Sequence, residues 1–105
     1  MTGEERFQAI SDTFLRDPTI TPKKMFGSMG LSVGGKVFAM LVKGRLVVKL
    51  PAERVETLLA TGVGERFDPG HGRVMKEWAS VDPHAETGWS ELVEEAKTFV
   101  ETGLQ

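Results

Sequence analysis

The residues best suited to acid–base or metal chemistry are two histidines, His71 and His84, which both lie in segments rich in turn-forming residues. Asp68 stands three residues before His71, and Glu86 stands two residues after His84. The His84–Glu86 spacing matches half of the zinc deaminase signature, but the chain lacks the cysteine pair that completes it. A structural metal site needs about four ligands. The sequence therefore predicts no metal site and no other cofactor.

Two glycine-containing motifs also differ from the catalytic patterns that they resemble. In GSMG at residues 27–30, Ser28 directly follows a glycine, whereas the nucleophile elbow of hydrolases reads GxSxG. The stretch GVG at residues 62–64 begins like a dinucleotide-binding fingerprint, but Phe67 stands where the third glycine belongs. We therefore predict that the protein is not an enzyme and has no catalytic residues.

The composition is that of an ordinary globular domain, with 40% hydrophobic and 27% charged residues, and we interpret residues 1–105 as one domain. The absence of cysteine excludes disulfides and thiolate nucleophiles, and the net charge of −2 argues against a general nucleic-acid coat. The N-terminus lacks the pattern of a secretory signal, and the longest apolar run, residues 37–42, is too short to cross a bilayer. We expect a cytoplasmic protein that does not associate with membranes.

Hydrophobic spacing predicts three amphipathic helices. The first spans residues 3–16 and begins at a capping box formed by Thr2 and Glu5. The second spans residues 52–61 and ends at Gly62. The third has the clearest apolar stripe, which consists of Trp89, Leu92, Val93, Ala96, Phe99 and Val100.

Short β-type runs between glycines predict an antiparallel meander of three strands, at residues 31–33, 37–42 and 46–50. Its two hairpin turns are Gly34-Gly35 and Lys43-Gly44. Two further strands are predicted around Phe67 and at residues 74–81. The predicted order is α-β-β-β-α-β-β-α, which is an α+β two-layer sandwich with an antiparallel sheet and helices on one face.

The turn at Lys43-Gly44 predicts which side chains of the second hairpin share a face. It pairs Leu41 with Leu46, Ala39 with Val48 and Val37 with Leu50, and this apolar face should pack against the helices. The opposite, outer face then holds Phe38, Met40, Val42, Arg45, Val47 and Lys49. A one-residue bulge at Gly44 would exchange the two sets of the first strand.

An outer face that is both apolar and cationic has two interpretations. In the first, a loop or the chain's own termini cover it. In the second, it is a surface for a partner protein or for a second copy of the chain, with Phe38, Met40 and Val47 as the candidate dimer surface.

The charges are segregated along the chain. Between Pro18 and Ala52 there is no acidic residue, and six cations give this stretch a formal charge of +6, so the rest of the chain carries −8. Attraction within the molecule and an anionic partner both account for this pattern. The candidate partner or nucleic-acid contacts are Lys23, Lys24, Arg45, Lys49 and Arg73. A protein partner is favoured over nucleic acid, because Phe26 and Phe38 make a thin stacking platform.

Four blocks resemble the TfoX N-terminal domain family: MFGSMGL at 25–31, GKVFAMLV at 35–42, GRLVVKL at 44–50, and GRVM at 72–75 followed by Trp78. The resemblance covers about residues 25–100. It implies a fold similar to that of secretion chaperones, and a role related to the bacterial regulators of natural competence after which the family is named. Those regulators carry a second, C-terminal domain that this sequence does not contain. The resemblance implies no catalytic residue and no cofactor.

The sequence thus favours a non-enzymatic binding module with a regulatory role. The alternative is a homodimeric, chaperone-like module for an acidic or disordered protein partner.

Overall fold

Three helices and six strands make up the part of the chain that the computed structural model describes, residues 2–25, 27–68, 75–83 and 88–103. In chain order they are α1 (Gly3–Phe14), β1 (Ile20–Met25), β2 (Ser28–Val33), β3 (Lys36–Val42), β4 (Arg45–Lys49), α2 (Ala52–Ala60), β5 (Gly64–Phe67), β6 (Met75–Val81) and α3 (Trp89–Gly103). The strands form one antiparallel sheet in the order β1-β2-β3-β4-β6-β5. The α+β class is confirmed, and the meander has one strand more than predicted.

The additional strand is β1, at one edge of the sheet. Of its six residues only Ile20 is buried, so the segment shows no alternation of apolar and polar residues. Pro22, Lys23 and Lys24 follow, and these are residue types that protect an exposed edge against pairing with other chains. A search for hydrophobic periodicity therefore missed this strand, because the polar composition that suits an edge strand has no such periodicity.

The predicted capping and turn residues have the expected geometry. The Glu5 amide donates to Thr2 Oγ1 at 3.1 Å, and the Thr2 amide donates to Glu5 Oε1 at 3.0 Å, which completes the capping box. In the turn after β3, Lys43 and Gly44 have φ values of 52° and 77°. Positive φ at both central residues is the conformation that two-residue hairpins favour.

All three helices pack on the same side of the sheet. Residues of each helix join strand residues in one core cluster, in which Leu46, Leu58 and Trp89 are almost fully buried. Phe99, predicted as part of the core stripe of α3, belongs to neither of the two core clusters among the described residues and is half-buried.

A β-bulge in β3 changes the predicted faces. Leu31 pairs with Ala39 and Ser32 pairs with Val37, so Phe38 has no partner on β2. Phe38 therefore turns into the helix-side core, where its ring centroid lies 6.4 Å from that of Phe14. The predicted position of Val37, on the helix side opposite Leu50, is wrong: Val37 lies in the outer cluster and does not pair with Leu50. Between β3 and β4, which the Lys43-Gly44 turn connects, the predicted pairs Ala39 with Val48 and Leu41 with Leu46 are confirmed.

A second apolar cluster lies on the outer face and consists of Val37, Met40, Val47, Phe67 and Trp78. Met40 and Val47 are 0% exposed, as is Phe38 on the other side. The prediction that Phe38, Met40 and Val47 form an exposed dimer surface is therefore wrong: the bulge redirects Phe38, and strand side chains such as Trp78 pack around Met40 and Val47. Dimerisation itself stays a prediction. Among the described helices, none combines the length and the apolar character that a bilayer crossing requires.

Candidate partner-binding face

The two adjacent lysines of β1 lie on opposite faces of the sheet. Lys23 is in register with Gly30, which pairs with Met40 of the outer cluster. Its ammonium donates a hydrogen bond to the carbonyl of Gly35 in the turn after β2. Lys24 alternates to the helix side, the side on which Ile20 joins the core. Of this pair, only Lys23 contributes to the outer face.

Arg45 lies at the start of β4 and is held against β6. Its Nε donates to Ser80 Oγ at 2.8 Å, and its Nη2 donates to the Ser80 carbonyl at 3.3 Å. Its Nη1 lies 4.0 Å from Asp82 Oδ2, an ion pair with side chains 31% and 52% exposed. A pair this exposed contributes at most about 1 kcal/mol. The guanidinium is therefore fixed in orientation by hydrogen bonds while part of it faces solvent.

Lys49, at the other end of β4, covers Trp78 of the outer cluster. The two residues pair across β4 and β6, and Lys49 Nζ lies 5.7 Å from the ring centroid. The ammonium is therefore held over an aromatic face, a contact worth about 0.5–1 kcal/mol at a partly exposed site. In the described ranges, no carboxylate lies within ion-pair distance of Lys23, Lys24 or Lys49.

These positions define what we call the cationic outer face: Lys23, Arg45 and Lys49 around the buried cluster of Met40, Val47 and Trp78. Of the predicted contact residues, the structure brings these three cations onto one face, and it places Lys24 on the other. Across the sheet, Lys23 and Lys49 are three strands apart, roughly 14 Å at the usual strand spacing. The face can therefore contact an extended anionic segment better than a single compact anion.

Several predicted candidates lie outside the described residues. They are Arg73 and Phe26 of the candidate binding surface and His71, His84 and Glu86 of the metal motifs. Within residues that the structure does describe, no group of three or more acidic or histidine side chains is arranged to hold a metal ion.

The helical layer carries the acidic residues that the charge pattern indicated. Glu91, Glu94 and Glu95 are exposed on α3. Near the end of α3, the Lys97 ammonium bonds to Glu101, and this hydrogen bond raises the pKa of Lys97. Lys97 also lies 4.0 Å from Asp17 in the turn before β1. The exposed glutamates of α3 thus lie on the opposite side of the sheet from Lys23, Arg45 and Lys49, whereas Glu65, in register with Ser80 and Val47, shares the outer face with these cations.

Comparison with known families gives a match to the TfoX N-terminal domain over residues 12–100. Among curated proteins, none matches the chain. The family match begins within α1 and ends within α3, so it includes every described strand and the cations of the outer face.

Proposed function

Because the chain belongs to the TfoX N-terminal domain family, we propose that it is a non-enzymatic regulatory module that binds a partner protein in the cytoplasm. The cationic outer face is the contact surface, and an acidic segment of the partner is the ligand. The family supports a role related to competence or transcription control.

The observation that carries this proposal is the placement of Lys23, Arg45 and Lys49 on the face opposite the helices. Arg45 and Lys49 are held by Ser80 and Trp78, so little side-chain entropy is lost when a carboxylate binds them. Separation of these cations from the acidic helices avoids repulsion of an anionic partner and favours its approach to one side.

Fluorescence anisotropy with a labelled glutamate-rich peptide tests the proposal. The double variant Lys23→Glu/Lys49→Glu should weaken binding by about a hundredfold, since it replaces two attractions with two repulsions. The matched control Lys24→Glu/Lys36→Glu makes the same charge change on the helix side of the sheet and should retain most of the affinity. Equal losses in both doubles would contradict a specific face.

The same anisotropy measurement with labelled duplex and single-stranded DNA, at low and physiological salt, gives the affinity for nucleic acid. Phosphate contacts release counterions, so a nucleic-acid binder loses affinity steeply as salt rises. Tighter binding of either DNA than of the acidic peptide at physiological salt would overturn the choice of a protein partner.

A homodimeric, chaperone-like module is the second candidate, and Met29 favours it. Met29 is 60% exposed on β2, beside Lys24 of the edge strand, and exposed methionines occur at surfaces that bind other proteins. Light scattering after size exclusion at tens of micromolar should then show a dimer that Met29→Ser weakens. A monomer would exclude this candidate.

A further inference from the structure

A groove of about 550 Å³ lies between α2 and α3, on the side of the molecule away from the cationic outer face. It is lined by Leu50, Pro51, Arg54, Glu91, Glu94, Glu95, Thr98 and Phe99. Leu50 and Pro51 form its floor at the end of β4, and α3 supplies one wall. Its volume is within the range of about 300–1,000 Å³ that is typical of ligand sites.

Phe99 forms an apolar wall of the groove and lies outside both hydrophobic clusters of the described residues. Its neighbours on α3, Ala96 and Val100, are buried in the helix-side cluster, but Phe99 belongs to neither cluster in the described part of the chain. A half-buried aromatic ring beside an apolar floor offers contact area to an incoming apolar side chain.

The rim of the groove is acidic. Arg54 is occupied by Glu95, with Nε–Oε1 and Nη2–Oε2 distances of 2.9 and 3.2 Å. This pair is neutral, so the charge of the lining comes from Glu91 and Glu94. The cation of α3, Lys97, is hydrogen-bonded to Glu101 and also interacts electrostatically with Glu94, so it neutralises the rim only in part. The groove therefore combines an apolar interior with a net negative rim.

We propose that this groove docks a cationic segment of a partner protein, with one apolar side chain inserted against Phe99 and lysine or arginine side chains placed beside Glu91 and Glu94. Charge complementarity selects this occupant, because an acidic peptide or a nucleic acid would be repelled by the carboxylates of Glu91 and Glu94. The inference is independent of the proposed function, since it concerns the opposite side of the molecule and a partner of opposite charge.

Titration with labelled peptides tests the docking site. The probe is a nonapeptide of lysines with a central leucine, and the comparison peptides replace the leucine with serine or the lysines with glutamates. The lysine–leucine peptide should bind the protein at least about tenfold more tightly than either comparison peptide, because each lacks one of the two matching features. If the serine peptide bound as tightly as the lysine–leucine peptide, binding would depend on charge alone, and the proposal would be overturned.

Two variants locate the binding. Glu94→Lys changes only an exposed rim residue and should weaken binding by about tenfold. Phe99→Ala should weaken it by a similar factor or more, since it removes the apolar wall.

The matched control Glu65→Lys makes the same charge change on exposed β5, away from the groove, and should bind like the unmodified chain. Circular dichroism establishes that each variant is folded. Unchanged affinity in Glu94→Lys, or an equal loss in Glu65→Lys, would place the peptide elsewhere and contradict the proposal.

Discussion

Arg54 binds Glu95 through two parallel hydrogen bonds and so joins α2 directly to α3. The two side chains are 34% and 42% exposed, so water screens the charges, but the planar guanidinium fixes the geometry. The pair links the two helices that line the groove.

Replacement of Arg54 with lysine should destabilise the protein by up to about 1 kcal/mol, because an ammonium cannot form the paired contact with Glu95. Urea unfolding at neutral pH measures the change. Arg16→Lys, in the exposed turn after α1, is the control and should have no measurable effect. Equal stabilities of both variants would show that the paired geometry of the Arg54–Glu95 hydrogen bonds contributes nothing to stability.

Gly30→Ala should destabilise the protein by about 2–3 kcal/mol, because there is no room for a side chain at this position. A Cβ atom on Gly30 would lie 2.5 Å from the carbonyl oxygen of Ala39 and 3.1 Å from Val37 Cγ1. Gly103→Ala is the matched control, since a Cβ there meets nothing within 4 Å. Thermal and urea unfolding should separate the two alanine variants clearly; similar stabilities would contradict the close approach of β2 and β3.

Phe38→Ala and Phe99→Ala should differ greatly in stability, although both remove a phenyl ring. Phe38 is fully buried in the helix-side core, so its loss should cost about 3–5 kcal/mol. Phe99 lies in the groove outside both clusters, and its loss should cost about 1 kcal/mol or less. Urea unfolding of the two variants provides the comparison. A larger loss for Phe99→Ala would mean that the ring is part of the core.

Asp17→Asn should remove a stabilising contribution that depends on pH. Thr19 donates to Asp17 Oδ1 from its hydroxyl at 2.7 Å and from its amide at 2.9 Å, and these hydrogen bonds lower the pKa of Asp17 below the ordinary value of 3.8. Because the folded-state pKa is the lower one, the stabilisation is present above the ordinary value and is lost as the pH falls through the folded-state pKa.

The measurement for Asp17 is the free energy of unfolding of both proteins between neutral and acidic pH. The difference between the two free energies of unfolding should be constant above about pH 5, which is roughly one unit above the ordinary pKa of an aspartate. It should shrink at lower pH. A difference that stays the same down to the acid limit would show that the carboxylate charge has no part in it.

The helices and turns could be predicted because local sequence determines them. Thr2 and Glu5 satisfy each other within one turn, and Lys43-Gly44 fixes a hairpin whatever lies around it. The strand β1 could not be found in this way, because a polar edge strand forms only where β2 offers it a partner.

The candidate surfaces depended on features that alternation along a strand does not encode. A single bulge places Phe38 in the helix-side core, and the sequence carries no local signal for its position. The spacing of Phe99 fits the apolar stripe of α3, yet its ring lines the groove between α2 and α3 and belongs to neither described core cluster, which depends on tertiary packing and not on spacing. The prediction that Arg45 and Lys49 share the outer face is confirmed, since the turn at Lys43-Gly44 fixes it.

The residues that hid β1 from prediction also affect how separate molecules meet. A strand arriving from another molecule would find no amide hydrogen on Pro22 and an ammonium group on each side of the sheet, at Lys23 and Lys24. Addition of further strands at the β1 edge is therefore disfavoured, which limits the growth of fibres from this side of the sheet.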